Sequence, residues 1–218
     1  AIRETVKIIR EISSGKSVEL MGGLFNVSGA KFNFRIGSSI PIFIGAQGPK
    51  MLMLAAEVGD GVLINASHPS DVENAMGYIK EGAAKAGKKM DELEVAAYTS
   101  FSIAEDEKKA LKAVTPVVAY IVAGSPETVL TKHGIQVESA NRIREAITKG
   151  AWKDAFSEVT PEMIDAFSIC GTPEACIEKI DRLLKLGVTQ IVIGSPVGPN
   201  IRKSIYVAGN EILTHYVT

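Results

Sequence analysis

The strongest constraint on this chain is a fourfold alternation of short, largely apolar runs with helical stretches. Pro41-Ile-Phe-Ile44 is wholly apolar, which suits a strand buried on both faces, Val62-Leu-Ile64 is a second apolar strand, and Leu93 to Ile103 and Thr189-Gln-Ile-Val-Ile193 supply a third and a fourth. Residues 49–58, 70–86 and 173–186 read as helices, and the charged start Glu105-Asp-Glu-Lys-Lys109 announces another. Strand and helix in strict alternation imply crossover connections, hence a parallel sheet and an α/β fold. Residues 110–167 form a long helical insertion before the last strand, with Pro116, Gly124, Pro126, Gly134, Gly150 and Pro161 as expected breaks.

Two architectures satisfy this order. Four strands are half of a (β/α)₈ barrel, which usually needs ~250 residues; they also suffice for an open, doubly wound sheet. A half-barrel leaves two open edges and an apolar inner face, so upstream sequence or another copy of the chain is expected to cover the gap. The opening, without Met and already at helical spacing through Ile2, Val6 and Ile9, leads us to expect a natural beginning upstream. One domain covering 1–218, its first barrel strands outside this sequence, and a homo-oligomeric state are the corresponding expectations. Residues 18–34 read as a hairpin-like excursion with a further extended piece through Phe32 to Phe34, and Pro199 to about Val217 as a final helix with Pro199 in its first position.

Composition excludes several function classes. With 24 basic and 25 acidic residues scattered along the chain, no basic stripe exists to bind nucleic acid or an anionic membrane. The longest weakly polar stretch, Ala113 to Gly124, falls short of the ~20 residues of a membrane span. Two cysteines, Cys170 and Cys176, match no zinc spacing and are too few for a disulfide framework, which favours a reducing cytoplasm.

The informative turn is Ile42-Phe-Ile-Gly-Ala-Gln-Gly-Pro-Lys50. A buried strand ends at Gly45, the chain turns through Ala46 and Gln47, Gly48 stands at the N-cap and Pro49 in the first helical position. Strand-to-helix turns of parallel folds lie on the rim where ligands bind. There the first amides of the helix point outward, and glycine lets an anion approach them. Lys50 in the first turn opposes the helix dipole by up to about 1 kcal/mol, a cost that a bound anion reverses. A plain Gly-Pro helix start with an exposed lysine is the competing reading. No Walker-type Gly-Lys-Ser/Thr follows.

Asn65, Ala66 and Ser67 end the next strand, where Asn and Ser can orient a polar ligand. His68, followed by Pro69, reads as a loop or capping residue before it reads as an acid or base. Ile193-Gly-Ser-Pro-Val-Gly-Pro199 admits a ligand or merely turns the chain, and Thr172 caps a helix that starts at Pro173. No nucleophile elbow, no metal-binding His pair and no carboxylate at a strand end is present, so no catalytic residue is named. The residues alone reach an anionic ligand at the C-terminal rim of an α/β sheet and stop there.

Pro41-Ile-Phe-Ile-Gly-Ala-Gln-Gly-Pro-Lys-Met51, with Leu54-Ala55 and Gly59-Asp-Gly-Val-Leu-Ile-Asn-Ala-Ser-His-Pro69, resembles the luciferase-like barrel superfamily. Within it the sequence is most similar to the F420-dependent methylenetetrahydromethanopterin reductases of methane-metabolising archaea. Residues 119–126, 166–174 and 187–196 share that resemblance. It implies a partial luciferase-type (β/α)₈ barrel and hydride transfer from reduced coenzyme F420 to a methylene-bearing tetrahydropterin, with neither bound flavin nor metal. It also implies that the backbone of the turn at Ala46, Gln47 and Gly48 meets the cofactor phosphate, with Asn65 and Ala66 alongside; Gly45, Lys50 and Ser67, from the reading of the residues, complete the expected cofactor-binding set. The family's N-terminal third, with its proposed acidic catalytic residues, has no counterpart here. Another F420- or FMN-dependent luciferase-like oxidoreductase, or an inactive barrel fragment serving as a scaffold, remain the alternatives.

Overall fold

The computed structural model of the chain describes residues 1–34 and 36–217. Two compact units emerge: residues 1–63 with 77–95, and residues 64–76 with 96 onward.

In the first unit, α1 (Ile2–Ser13) buries Val6 and is tied to the following elements by charge. Arg3 pairs with Glu57, and Arg10 reaches the Asp60 carboxylate at 2.7 Å and the Val58 carbonyl at 3.1 Å. The excursion is an antiparallel hairpin, β1 (Val18–Met21) against β2 (Asn26–Ala30). Its turn is held by Glu4, whose carboxylate accepts from the amides of Gly23, Leu24 and Phe25. The expected strand through Phe32 to Phe34 does not form; the two rings stack on each other at 4.8 Å instead, in irregular backbone.

Next come β3 (Phe43–Ala46), α2 (Pro49–Val58), β4 (Gly61–Asn65) and α3 (Pro69–Lys85). Close packing explains two glycines here. A Cβ on Gly82 of α3 would sit 2.2 Å from the Met53 carbonyl oxygen of α2, and one on Gly61 2.4 Å from the Phe43 ring. The end of α2 is closed by Lys88, which donates to the carbonyls of Ala56 at 3.1 Å and Gly59 at 2.6 Å, the use of a cation at a helix C-terminus that the dipole favours. A short 3₁₀ turn, Met90–Glu92, leads into β5 (Glu94–Ile103).

The second unit holds the insertion: α4 (Glu107–Gly124), α5 (Glu127–Lys132), α6 (Val137–Thr148), α7 (Trp152–Ser157) and α8 (Pro161–Phe167). Pro116 does not break α4. The helix runs through it because Val114, Val118, Ala119 and Val122 bury one continuous face against Leu130, Ile143 and Met163, and that burial outweighs the hydrogen bond the proline cannot donate. Then follow β6 (Ser168–Gly171), α9 (Pro173–Lys185), β7 (Gln190–Val197) and α10 (Ile201–Val207), a π segment (Ala208–Leu213) and α11 (Thr214–Tyr216). The final helix starts two residues later than expected, with Asn200 accepting from the Lys203 amide at 3.0 Å as its cap, and it is interrupted by the π turn.

The sheet has five strands in the order β3-β4-β5-β6, with β7 also paired to β5. Parallel pairing joins β5 to both β6 and β7, and Phe101 and Ser102 have partners in each, so these two strands flank β5 on opposite sides. The four expected strands are all present; the additional one is β6, at the junction between the insertion and the Thr172 cap.

Candidate functional site

The turn after β3 is an uncapped strand-to-helix turn. Gly48 is the N-cap of α2 at φ −84° and ψ 155°, Pro49 follows it in the helix, and no side chain caps the first amides. A Cβ built on Gly45 or Gly48 would meet nothing within 4 Å, so neither glycine is there to relieve crowding. Gly45, Gln47, Gly48 and Lys50 are exposed, whereas Ala46 points inward with 6% exposure. The first turn of α2 contains no acidic residue to satisfy its positive end. This turn therefore offers open backbone amides and a cation to an incoming negative group.

At the end of β4, Asn65 is exposed, while Ala66 and Ser67 are 8% and 5% exposed. Of this trio only Asn65 presents its side chain at the surface. His68 is the cap of α3: its carbonyl accepts from the amides of Asp71 and Val72, and its ring Nδ1 accepts from the Ser70 amide at 3.2 Å. Ser70 Oγ also lies 2.8 Å from Nδ1. The capping reading of His68 is thus correct, and incomplete.

Behind that cap lies a polar cluster within the second unit. Asp71 binds Lys132 Nζ at 2.5 Å and the buried His133 Nε2 at 2.9 Å. The rings of His68 and His133 meet edge to face at 5.0 Å, and His133 contacts Phe167 at 5.4 Å. Asp165 is gripped by Lys179, 2.7 Å away, and its other oxygen lies 3.7 Å from His68 Nε2. A cleft of about 410 Å³ opens between them, lined by His68, His133, Pro161, Glu162, Asp165 and Ala166. Burial, helped by the nearby His133 and Lys179, pushes His68 below its ordinary value, so the ring is neutral at pH 7. Burial works to raise Asp165, but the hydrogen bond and charge of Lys179 outweigh it and the carboxyl is held low. Sequence reasoning singled out only His68 here. Asp71 lies in the helix that His68 caps, His133, Asp165 and Lys179 come from three further helices or their ends, and none of the four carries a local signal.

The stretch 193–199 is explained by packing. A Cβ on Gly194 would fall 2.2 Å from the Thr99 carbonyl oxygen, and one on Gly198 2.5 Å from that of Ile103, so both glycines serve close approach of β7 to β5. Cys170 and Cys176 are unbridged and pushed up to about 12 by burial, which makes both inert thiols rather than nucleophiles. Among the described residues no His, Cys, Asp or Glu cluster could hold a metal ion. Among the same residues no helix is long and apolar enough to cross a membrane.

The overall α/β architecture agrees with what known proteins show. Residues 1–190 match the luciferase-like monooxygenase family. The chain belongs to that family. It is 55% identical over 216 residues to 5,10-methylenetetrahydromethanopterin reductase of Archaeoglobus fulgidus, covering 97% of this chain and 65% of that protein. To the Methanopyrus kandleri protein of the same name it is 50% identical, covering 99% of this chain and 62% of the relative. The solved structure of the coenzyme F420-dependent tetrahydromethanopterin reductase from Methanopyrus kandleri superposes with a TM-score of 0.95 at 49% identity, over 98% of this chain and 62% of that one. An F420-dependent secondary alcohol dehydrogenase solved with an F420-acetone adduct shares the fold at a TM-score of 0.72 and 23% identity, over 96% of this chain and 59% of that one. The chain thus spans a little under two thirds of the length of these relatives. The α/β reading, with the barrel of the luciferase-like kind as its parent architecture, is borne out, and the open doubly wound alternative falls away.

Proposed function

We propose that this protein is an oxidoreductase that transfers a hydride from reduced coenzyme F420 to methylenetetrahydromethanopterin, giving the methyl compound in one-carbon metabolism. The observation that carries the reading is the turn from Gly45 to Lys50, a capless helix start with open space over both glycines, in a chain 50–55% identical to proteins named for this reaction.

The phosphate of F420 fits this turn. The amides of Lys50 and Met51 at the head of α2 would donate to it and the Lys50 ammonium would offset its charge, while Gly45, Ala46, Gln47 and Gly48 form the approach. Asn65, exposed at the end of β4, with the buried Ala66 and Ser67 following it, is the second stretch suited to a polar part of the cofactor. When bound, the reduced deazaflavin supplies the hydride; the chain's own contribution is to fix the donor against the acceptor carbon, a proximity effect worth up to about 7–11 kcal/mol. No metal and no tightly held flavin enters this scheme. The free cysteines suit a reducing cytoplasm. Exposed Met21, Leu24 and Phe34 give apolar surface that a homo-oligomer would bury.

The test is direct. F420 is titrated into the intact protein by fluorescence, and oxidation of reduced F420 is followed by absorbance with methylenetetrahydromethanopterin, with a secondary alcohol and oxidised F420 as the competing pair. Saturable binding and turnover with the pterin are expected. Absence of F420 binding, or turnover with the alcohol alone, would overturn the assignment.

A further inference from the structure

The cleft beside His68 contains a donor and an acceptor whose positions are already fixed. The Ser70 amide donates to His68 Nδ1 at 3.2 Å, so that nitrogen is the bare one and the proton of the neutral ring sits on Nε2. Asp165 Oδ2 lies 3.7 Å from Nε2, beyond the ~3.2 Å limit of a good N–H···O bond. Each group is tied to a partner of its own. His68 is clamped by Ser70 on one side and the buried His133 ring on the other, and His133 is in turn held by Asp71. Asp165 is anchored through Oδ1 by Lys179, whose side chain is only 12% exposed. Glu162, in the first turn of α8, and Asp165 itself make the cleft unsuited to an anion.

A 3.7 Å separation between donor and acceptor matches one common ligand edge. With C=O near 1.23 Å and C–N near 1.33 Å, the oxygen and nitrogen of a cis amide lie about 2.25 Å apart, so two hydrogen bonds of about 2.9 Å span the difference with modest splay. We propose that His68 Nε2–H and Asp165 Oδ2 form a two-point subsite for the lactam edge of a heterocycle, its carbonyl accepting from His68 and its ring N–H donating to Asp165. The inference rests on the function proposed above, because both reactants of that reaction carry such an edge: the pterin at C4=O and N3–H, the deazaflavin in its pyrimidinedione ring. The insertion helices α5 and α8 would then contribute to substrate recognition through His133 and Asp165.

The experiment uses the intact protein and three probes: pterin (2-amino-4-oxopteridine), 3-methylpterin, which lacks the N–H donor, and F420. Calorimetric titration of each is repeated with Asp165→Asn, whose folding is checked by its melting temperature. Pterin should bind and 3-methylpterin should bind about 10- to 100-fold more weakly, the scale of one hydrogen bond to a charged acceptor. Asp165→Asn should weaken pterin by a similar factor and erase the discrimination, while F420 affinity stays put. If instead F420 alone weakens in the variant, the edge recognised is the deazaflavin's. Equal binding of the two pterins together with unchanged F420 affinity in the variant would overturn the subsite. Pterin discrimination in a protein that does not bind F420 would leave the subsite standing while the proposed reaction falls, and loss of both would remove both.

Discussion

Replacing Gly48 by Asp should move stability and ligand affinity in opposite directions. The N-cap conformation at φ −84° and ψ 155° is open to any L residue, and a Cβ there meets nothing within 4 Å, so the fold bears the change without strain. Asp accepts from the first-turn amides and exceeds Gly as a cap by a few tenths of a kcal/mol. Its charge at the positive end of α2 adds about 0.3–1 kcal/mol, with Lys50 in the same turn to complement it. A net gain of about 0.5–1 kcal/mol corresponds to a Tm rise of about 1–4 °C for a protein of this size.

For a phosphate on the same amides the carboxylate is a competitor. Two unit charges about 4 Å apart repel by about 1 kcal/mol in water and about 4 kcal/mol at an effective dielectric of 20. The exposure of Gly48 puts the penalty near the lower figure, so a weakening of about fivefold is expected, shrinking as salt is added. Gly48→Asn separates the two effects: it supplies a comparable cap without the charge, and should raise Tm while costing less affinity. Scanning calorimetry and fluorescence titration of F420 at low and high salt read both quantities. A Gly48→Asp variant that melts higher yet binds F420 unchanged at low salt would show that the phosphate sits elsewhere.

Three further outcomes follow from packing and charge. In α3, Gly82→Ala should destabilise by about 1–3 kcal/mol because its Cβ lands 2.2 Å from the Met53 carbonyl, whereas Gly77→Ala, with nothing within 4 Å, should stabilise by about 0.5–1 kcal/mol; urea unfolding of both gives the signs. Asp71→Ala removes the acceptor of the His133 ring, whose side chain is 4% exposed, and should cost about 1.5–3 kcal/mol at pH 7, an equal midpoint in urea being the contrary result. Burial works to raise Asp60, but its bonds to Arg10 and the Ile42 amide prevail and its carboxyl is held below the ordinary range. Its contribution to stability is therefore full above about pH 4 and lost as pH falls through the folded-state value. The stability gap between wild type and Asp60→Asn should narrow between pH 5 and pH 2, and a constant gap would refute the linkage.

What could be read from the sequence was local. The turn at Gly48-Pro49 and the cap at Thr172-Pro173 announce themselves because the residues that make them are neighbours in the chain, and their φ preferences and missing donors act over a few positions. The apolar strands were legible for the same reason. Three features escaped, the first two because their causes are remote. Pro116 sits inside α4 since the face formed by Val114, Val118 and Val122 finds Leu130, Ile143 and Met163 to pack on, partners that no window around the proline contains. The strand β6, at four residues, exists because Ser168 to Gly171 pairs with Ser100 to Ile103, and alone it is too short to differ from a helix lead-in. The phenylalanines at 32 and 34 have strand-like alternation but stack on each other in irregular backbone instead.

The His68 cluster makes the same point for function. His68, Asp71, His133, Asp165 and Lys179 are drawn from the start of α3, the end of α5, the interior of α8 and the middle of α9, and each taken alone is an ordinary polar residue on a helix. Their chemistry exists only in combination: Ser70 chooses the tautomer of His68, Lys179 chooses which Asp165 oxygen is left over, and the insertion sets the 3.7 Å between them. The insertion brings two of these groups, His133 and Asp165, against the cap of α3. A change in that segment can therefore alter what the protein binds at the cleft while leaving the turn at Gly48, and whatever anion it holds, untouched.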